Sequence, residues 1–378
     1  MELRDLPAAF WRGGTSNAVV FRIEDLPEDR GDRDAVLLSA MGSPDPYGRQ
    51  LDGMGGGLSS LSKVCIIGPP THPDADIDFT FAQIPIGPGA VDYGGNCGNM
   101  ISAVGPAALD FGYVSPPSGS EAVIRIHNTN TGKIIVSQFP VRDGALAADG
   151  ELAIDGVAGT AAPIKLSFTE PGGAKTGRLL PTAAPVDDLW IEGRTYRASL
   201  IDAANPCVFV AAHDLGKTGA ELPEALAADP EFRRVMEQIR RAGSVRMGMA
   251  ADTDAAGAQP SIPKVAMVAA PRDALLVSGA QQPGSGVSIM VRMLSMEQPH
   301  RAVPITGSIC LAIAARIPGS VPAALCATAK GPITISHPSG STLVEADVSM
   351  QGGHPVAISG SVYRTARKLF SGRVHYRL

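Results

Sequence analysis

Short apolar runs alternate with polar, turn-forming clusters along the whole chain. Asp76-Ile-Asp-Phe-Thr-Phe-Ala-Gln-Ile84 alternates polar with apolar and predicts a strand with one buried face. Ser60-Leu-Ser-Lys-Val-Cys-Ile-Ile67 alternates weakly and turns β-branched at its end, which predicts a second strand. Ala18–Phe21 is a short apolar strand, and 121–139 reads as two strands joined at Asn128-Thr-Asn-Thr-Gly132. Further strands are expected at 206–212, 262–269, 286–294, 331–335, 341–349 and 355–363. Helical spacing is rarer. Residues 31–42 predict a short helix closed by Gly42. Phe232, Val235, Met236 and Ile239 stand at i, i+3, i+4 and i+7 of an amphipathic helix over 229–242. Residues 98–111 and 307–316 are apolar all round, which predicts two buried helices.

One echo links the halves. Asn96-Cys97-Gly98-Asn99 opens the first buried helix, and Thr306-Gly307-Ser308 opens the second. Each follows a candidate strand and puts small residues at a helix N-terminus, as a duplicated unit would.

Composition agrees with a chain of many turns. Its 43 Gly and 31 Pro are about a fifth of 378 residues, against an average nearer ~12%. That argues against helical bundles and coiled coils, and the lack of a Gly-X-Y period excludes collagen. With 44% hydrophobic and 18% charged residues the chain is not disordered. Its length predicts two domains, placed at 1–185 and 186–378 with the last strand able to return to the first.

The net charge is −5 and no basic run goes beyond a pair such as Arg240-Arg241, so no nucleic-acid partner is expected. The N-terminus, Met1-Glu-Leu-Arg-Asp5, lacks the apolar core of a signal peptide. Ile309–Ala315 falls far short of the ~20 apolar residues of a membrane helix. Five cysteines at 65, 97, 207, 310 and 326 show no metal-ligand spacing, and the seven His are scattered. The expectation is a cytoplasmic protein with free thiols, no zinc site and no membrane partner.

Two residues draw chemical interest. Cys97 stands at a predicted helix N-terminus among glycines, a setting that favours a reactive thiolate over the inert buried thiol expected of the other four. Lys63 lies inside a strand, where Lys is uncommon. An enclosed amine there can serve as a base, and an exposed one guards a sheet edge. Arg12-Gly13-Gly14-Thr15-Ser16 offers free amides and hydroxyls to a carboxylate, with Arg12, Arg49 and Lys264 as candidate counter-ions. Gly53-Met-Gly-Gly-Gly57 leads into a strand rather than a helix, so it is read as a flexible turn whose amides face a ligand, not as a dinucleotide loop.

Several strings occur in order through nearly the whole chain: Trp11-Arg-Gly-Gly-Thr-Ser16, Met41-Gly-Ser-Pro-Asp-Pro46, Gly48-Arg-Gln-Leu-Asp-Gly53, Ser59-Ser-Leu-Ser-Lys-Val64, Phe79-Thr-Phe-Ala-Gln83, Val91-Asp-Tyr-Gly-Gly-Asn-Cys-Gly-Asn-Met100, Asn205-Pro206, Leu294-Ser-Met296, His337-Pro-Ser-Gly340 and Tyr363-Arg-Thr-Ala-Arg367. With them the chain resembles the PrpF family, which includes 2-methylaconitate cis–trans isomerases, methylitaconate isomerases and 4-oxalomesaconate tautomerases. The resemblance implies an α/β fold of the diaminopimelate-epimerase-like kind, with two similar domains, each a barrel-like sheet around a central helix. It implies no metal, no pyridoxal phosphate and no nucleotide cofactor. Lys63 and Cys97 take the positions of the family's catalytic pair, one as base and one as acid/base partner, in either order. Substrate contacts are expected from Arg12, Thr15, Ser16, Asn17, Asn96, Gly98, Asn99, Thr306, Gly307 and Ser308. Thr306 occupies the place where a two-thiol epimerase has its second cysteine, which disfavours that class. Asn17 stands where many members carry Lys.

The expected reaction is a 1,3-proton shift on a small unsaturated polycarboxylate. 4-Oxalomesaconate ranks first, with 2-methylaconitate and methylitaconate as alternatives. A non-catalytic carboxylate binder is the reading of another class, and a homodimer is left open.

Overall fold

A computed structural model describes residues 3–94, 97–295 and 298–377. The chain divides into two compact units, Met1–Ser167 with Tyr363–Leu378, and Phe168–Val362.

The first unit contains β1 (Leu3–Gly13), β2 (Ser16–Arg22), α1 (Arg30–Met41), β3 (Lys63–Gly68), β4 (Ile77–Gln83), α2 (Gly98–Asp110), β5 (Glu121–Asn128) and β6 (Lys133–Arg142). β1 runs antiparallel to β2, β2 parallel to β3, β3 antiparallel to β4, β4 parallel to β5, and β5 antiparallel to β6. The second unit contains β7 (Arg194–Ala203), β8 (Asn205–Ala211), α3 (Pro230–Arg246), β9 (Lys264–Ala269), β10 (Ile289–Ser295), α4 (Ile305–Ala314), β11 (Ile333–His337) and β12 (Gly340–Gln351). Its successive pairings follow the same antiparallel and parallel order. Long helices follow the second and fourth strands in each series. The two units are therefore copies of one strand–helix plan, which the echo between the two helix starts anticipates. β13 (His354–Arg364) pairs antiparallel with β12. β14 (Ala366–Arg377) then runs antiparallel along β1, within the first unit.

Each unit wraps strands around an apolar helix. Met100 to Leu109 of α2 are all buried, and β1, β2, β3, β5, β6 and β14 pack around the helix. A helix apolar on every side can shed water only when it is surrounded. In the second unit α4 is buried from Gly307 to Ala314 and packs on β7, β8 and β12. This is the α/β architecture of two similar units, each a sheet around a central helix, that the resemblance implies.

Two polar features depart from the sequence reading. The glycine run 53–57 spends its amides on the protein itself. Met54 and Gly55 donate to the carbonyls of Ala40 and Met41 at the end of α1, and Gly57 donates to the buried side chain of Gln50. Helix ends leave carbonyls unpaired, so this loop caps α1 rather than facing a ligand. A Cβ on Gly53 would lie 2.1 Å from the nitrogen of Gly42, which explains the need for glycine there. The pair Arg240-Arg241 is not a basic surface run: Arg240 is only 1% exposed and donates to the carbonyls of Ala256, Gln259 and Ile262. Among the described residues no helix is long and apolar enough to cross a membrane.

Candidate functional site

The site is built on the edge of β3 and the start of α2. Lys63 is the first residue of β3, half-buried, and its antiparallel partner is Gln83 at the end of β4. The Gln83 amide donates to the carbonyls of Ser59 at 3.0 Å and Ser62 at 2.9 Å. With its nitrogen so engaged, its oxygen is turned to accept from Lys63 Nζ at 3.3 Å. The amine also lies 5.1 Å from the centre of the Phe81 ring. From this seat Lys63 Nζ donates to Cys97 Sγ at 3.4 Å.

Cys97 is the N-cap residue of α2, with extended backbone and no side-chain capping bond. Its sulfur is therefore not consumed by the helix. The first turn of α2 contains no acidic residue, so the positive end of the helix dipole is not offset from within the helix. Cys65 lies close to both Lys63 and Cys97, but complete burial pushes its thiol well above the ordinary range, which keeps it protonated. Gln83 was not singled out as a site residue by its sequence. Its part depends on a cross-strand register that only pairing creates.

The second element is the turn between β1 and β2. Gly14 has φ +52, and a Cβ there would meet the Asn99 Oδ1 at 2.3 Å, so glycine lets the turn press against α2. Asn99 Nδ2 donates to Thr15 Oγ1 at 3.0 Å, and Arg364 Nε donates to Asn99 Oδ1 at 3.4 Å. Arg12 Nη1 donates to the carbonyls of Gly14 and Thr365, both at 2.9 Å. Burial, and then the charge of Arg367 across the strand pair, push the Arg12 guanidinium below its usual pKa. Ser16 is buried. Asn17 is the cross-strand partner of Arg12, and its Oδ1 is buried without a hydrogen-bond partner among the described residues.

The structure thus gathers Lys63, Cys97, Gly98, Asn99, Arg12 and Thr15 around one helix end within the first unit. Asn96 lies outside the described residues. Arg49 is exposed in its loop. Thr306, Gly307 and Ser308 belong to the second unit, in the first turn of α4. There Ser308 is fully buried and its hydroxyl donates to the Ile305 carbonyl at 2.8 Å, so it serves its own helix. A Cβ on Gly307 would meet the Met293 sulfur at 2.8 Å. Lys264 opens β9 as Lys63 opens β3, so the duplicated plan gives it the corresponding place in the second unit. Burial pushes its amine below the usual range, against a smaller opposing effect of Cys207, its parallel partner on β8. His300 nearby is pushed down to about 4, by burial and then by the Lys264 charge. Among the described residues no cluster of three or more His, Cys, Asp or Glu side chains is arranged to hold a metal ion.

Comparison with known proteins agrees on the whole chain. The family profile described as PrpF protein matches residues 3–377. A 3-methylitaconate isomerase of Eubacterium barkeri is 38% identical over 374 residues, 98% of this chain and 97% of that protein. A 2-methyl-aconitate isomerase of Cupriavidus necator is 38% identical, covering 98% of this chain and 96% of its own. A 4-oxalomesaconate tautomerase of Pseudomonas putida is also 38% identical, over 98% of this chain and 95% of its own. The crystal structure of a methylitaconate-delta-isomerase superposes with a TM-score of 0.92 at 37% identity, covering 100% of this chain and 96% of that one.

Proposed function

The chain belongs to the PrpF family and is an isomerase, and from that premise we propose that it moves a proton across the allylic unit of an unsaturated polycarboxylate, with Lys63 and Cys97 as the acid–base pair. The observation that carries this reading is the 3.4 Å contact between Lys63 Nζ and Cys97 Sγ at the start of α2.

In this reading the neutral Lys63 amine removes a C–H proton adjacent to the alkene and becomes an ammonium. The electron pair left behind spreads over a dienolate, which the amides at the α2 N-terminus and the nearby guanidinium groups stabilise. The Cys97 thiol then gives its proton to the far carbon, and the double bond moves. This leaves an ammonium beside a thiolate. Transfer along the Lys63–Cys97 hydrogen bond restores both groups, so each turnover ends with the pair as it began.

The three substrates named in the relatives share this chemistry, and all three relatives are 38% identical to the chain. Identity therefore does not rank them. 4-Oxalomesaconate heads the panel on the sequence reading, followed by 2-methylaconitate and methylitaconate. Ultraviolet absorbance and proton NMR in D₂O should show a shifted double bond and solvent deuterium in the product. Inactivity on all three compounds, with no deuterium incorporated, would overturn the proposal and favour a carboxylate-binding protein.

Cys97→Ser should lower kcat by about 10²-fold, since a hydroxyl is a much poorer proton donor to carbon at neutral pH. The unfolding temperature should stay close to wild type, because Cys97 makes no capping bond. A variant that keeps full kcat would remove Cys97 from the reaction.

A further inference from the structure

Arg364 ends β13 and stands apart from the residues named by the sequence. Its Nε donates to Asn99 Oδ1 at 3.4 Å and its Nη1 to the Tyr363 carbonyl at 2.8 Å. An arginine fork carries five N–H donors. The two contacts hold the group in place, and Nη2 has no hydrogen-bond partner among the described residues. Neither Arg364 nor Arg12 forms an ion pair with a described carboxylate. The residue keeps some accessible surface, yet burial pushes its guanidinium down to about 10, with no nearby anion to offset it.

Taking a cation out of water without a counter-ion works against folding, so such groups are retained where a ligand supplies the missing charge. Here the deficit is not local to one residue. Arg12 faces Arg367 directly across β1 and β14, a like-charge pairing that opposes the sheet. The Arg12 fork is fastened to the Thr365 carbonyl, one residue beyond Arg364. Asn99 ties Arg364 to the first turn of α2, whose N-cap is Cys97. Two cations and a helix N-terminus without an acidic partner thus meet at the first turn of α2, whose N-cap residue Cys97 contacts Lys63.

We infer that Arg364 is a specificity-determining residue that holds one carboxylate of the substrate through the free side of its fork, while Arg12 balances a second. The inference rests on the polycarboxylate isomerase reading and adds a reason for polycarboxylates in particular. A monoanion would neutralise only one of the two guanidinium groups. Planar, bidentate contact to a carboxylate is what an arginine supplies and a lysine does not.

The test compares wild type, Arg364→Gln and Arg364→Lys. Calorimetry measures Kd for tricarballylate, which has three carboxylates and no double bond, and for crotonate, which has one. Steady-state kinetics use whichever unsaturated polycarboxylate wild type turns over. Losing a charge-assisted bidentate contact should raise Kd and KM of the polycarboxylates by about 10–100-fold. Crotonate affinity should stay within a few-fold and kcat should fall much less than KM rises. Arg364→Lys should recover part of the loss, by charge without the fork.

A purely structural role for Arg364, pinning Asn99, would lower kcat on every substrate with KM unchanged, and that result overturns the inference. So does tricarballylate binding that is unaltered in Arg364→Gln. If the Gln variant does not fold, Arg364→Lys decides, and wild-type Kd and KM in that variant overturn the proposal. Wild type that binds tricarballylate but turns over none of the panel defeats the isomerase reading, while a binding loss in Arg364→Gln still upholds the carboxylate seat. Wild type that binds no tricarballylate overturns the seat outright.

Discussion

Lys63→Ala is expected to lower kcat by about 10²–10⁴-fold, the range typical of a lost proton-transfer group. The side chain is held for this task by neighbours that have no other evident use for it. Gln83 is oriented by two backbone carbonyls and spends its oxygen on the amine. Lys63 is the half-buried first residue of β3, so alanine removes little buried surface. The unfolding temperature should therefore move by only a degree or two while activity collapses. Lys63→Arg should be as inactive, because a guanidinium stays protonated and cannot accept the substrate proton. Near-normal turnover by either variant would assign the proton abstraction to another group.

The largest expected effect on stability lies far from this chemistry. Arg240 is buried, and its guanidinium donates to the carbonyls of Ala256 at 3.0 Å, Gln259 at 3.1 Å and Ile262 at 3.1 Å. It also donates through Nε and Nη2 to the two oxygens of Glu237, both at 2.7 Å. Arg240→Met would leave three carbonyls without this donor and Glu237 with Arg241 alone. Breaking a buried ion pair by removing one partner costs about 3–5 kcal/mol. For a unit of this size the corresponding fall in unfolding temperature is on the order of 10 °C. Differential scanning calorimetry measures it directly. A change below about 1 kcal/mol would mean that the loop following α3 is held by other contacts.

The sequence made the interior elements legible because their burial shows in their periodicity. α2 and α4 are apolar on all sides, and β4 alternates, so each reads correctly to within about two residues at its ends. α4 begins at Ile305 rather than 307, since Pro304 can cap it without an amide of its own. The sequence reading lets a last strand return to the first domain, but 366–377 carries no strand signal of its own. Most of its side chains on both faces are exposed, so Ala366–Arg377 shows no alternation, and it is a strand because β1 offers it a backbone partner. The candidate site follows the same rule. Cys97 is singled out by its glycine-rich setting at a helix start and Lys63 by its strand and the family strings, and the two side chains lie 3.4 Å apart. Gln83 and Arg364 are ordinary polar residues in the sequence, given a part by register in one case and by a bond to Asn99, 265 positions away, in the other.

The pairing of β1 with β14 has a consequence for how the chain is made. The second unit occupies one unbroken stretch, whereas the first is completed only by the final strand. During synthesis every residue of the second unit is added before β14 begins, and domains tend to fold as they emerge. The half that holds Lys63 and Cys97 is then the last to close. A chain released early would show an open β1 edge, the kind of surface that invites association and quality control. Connectivity thus ties closure of the unit that holds Lys63 and Cys97 to the arrival of β14.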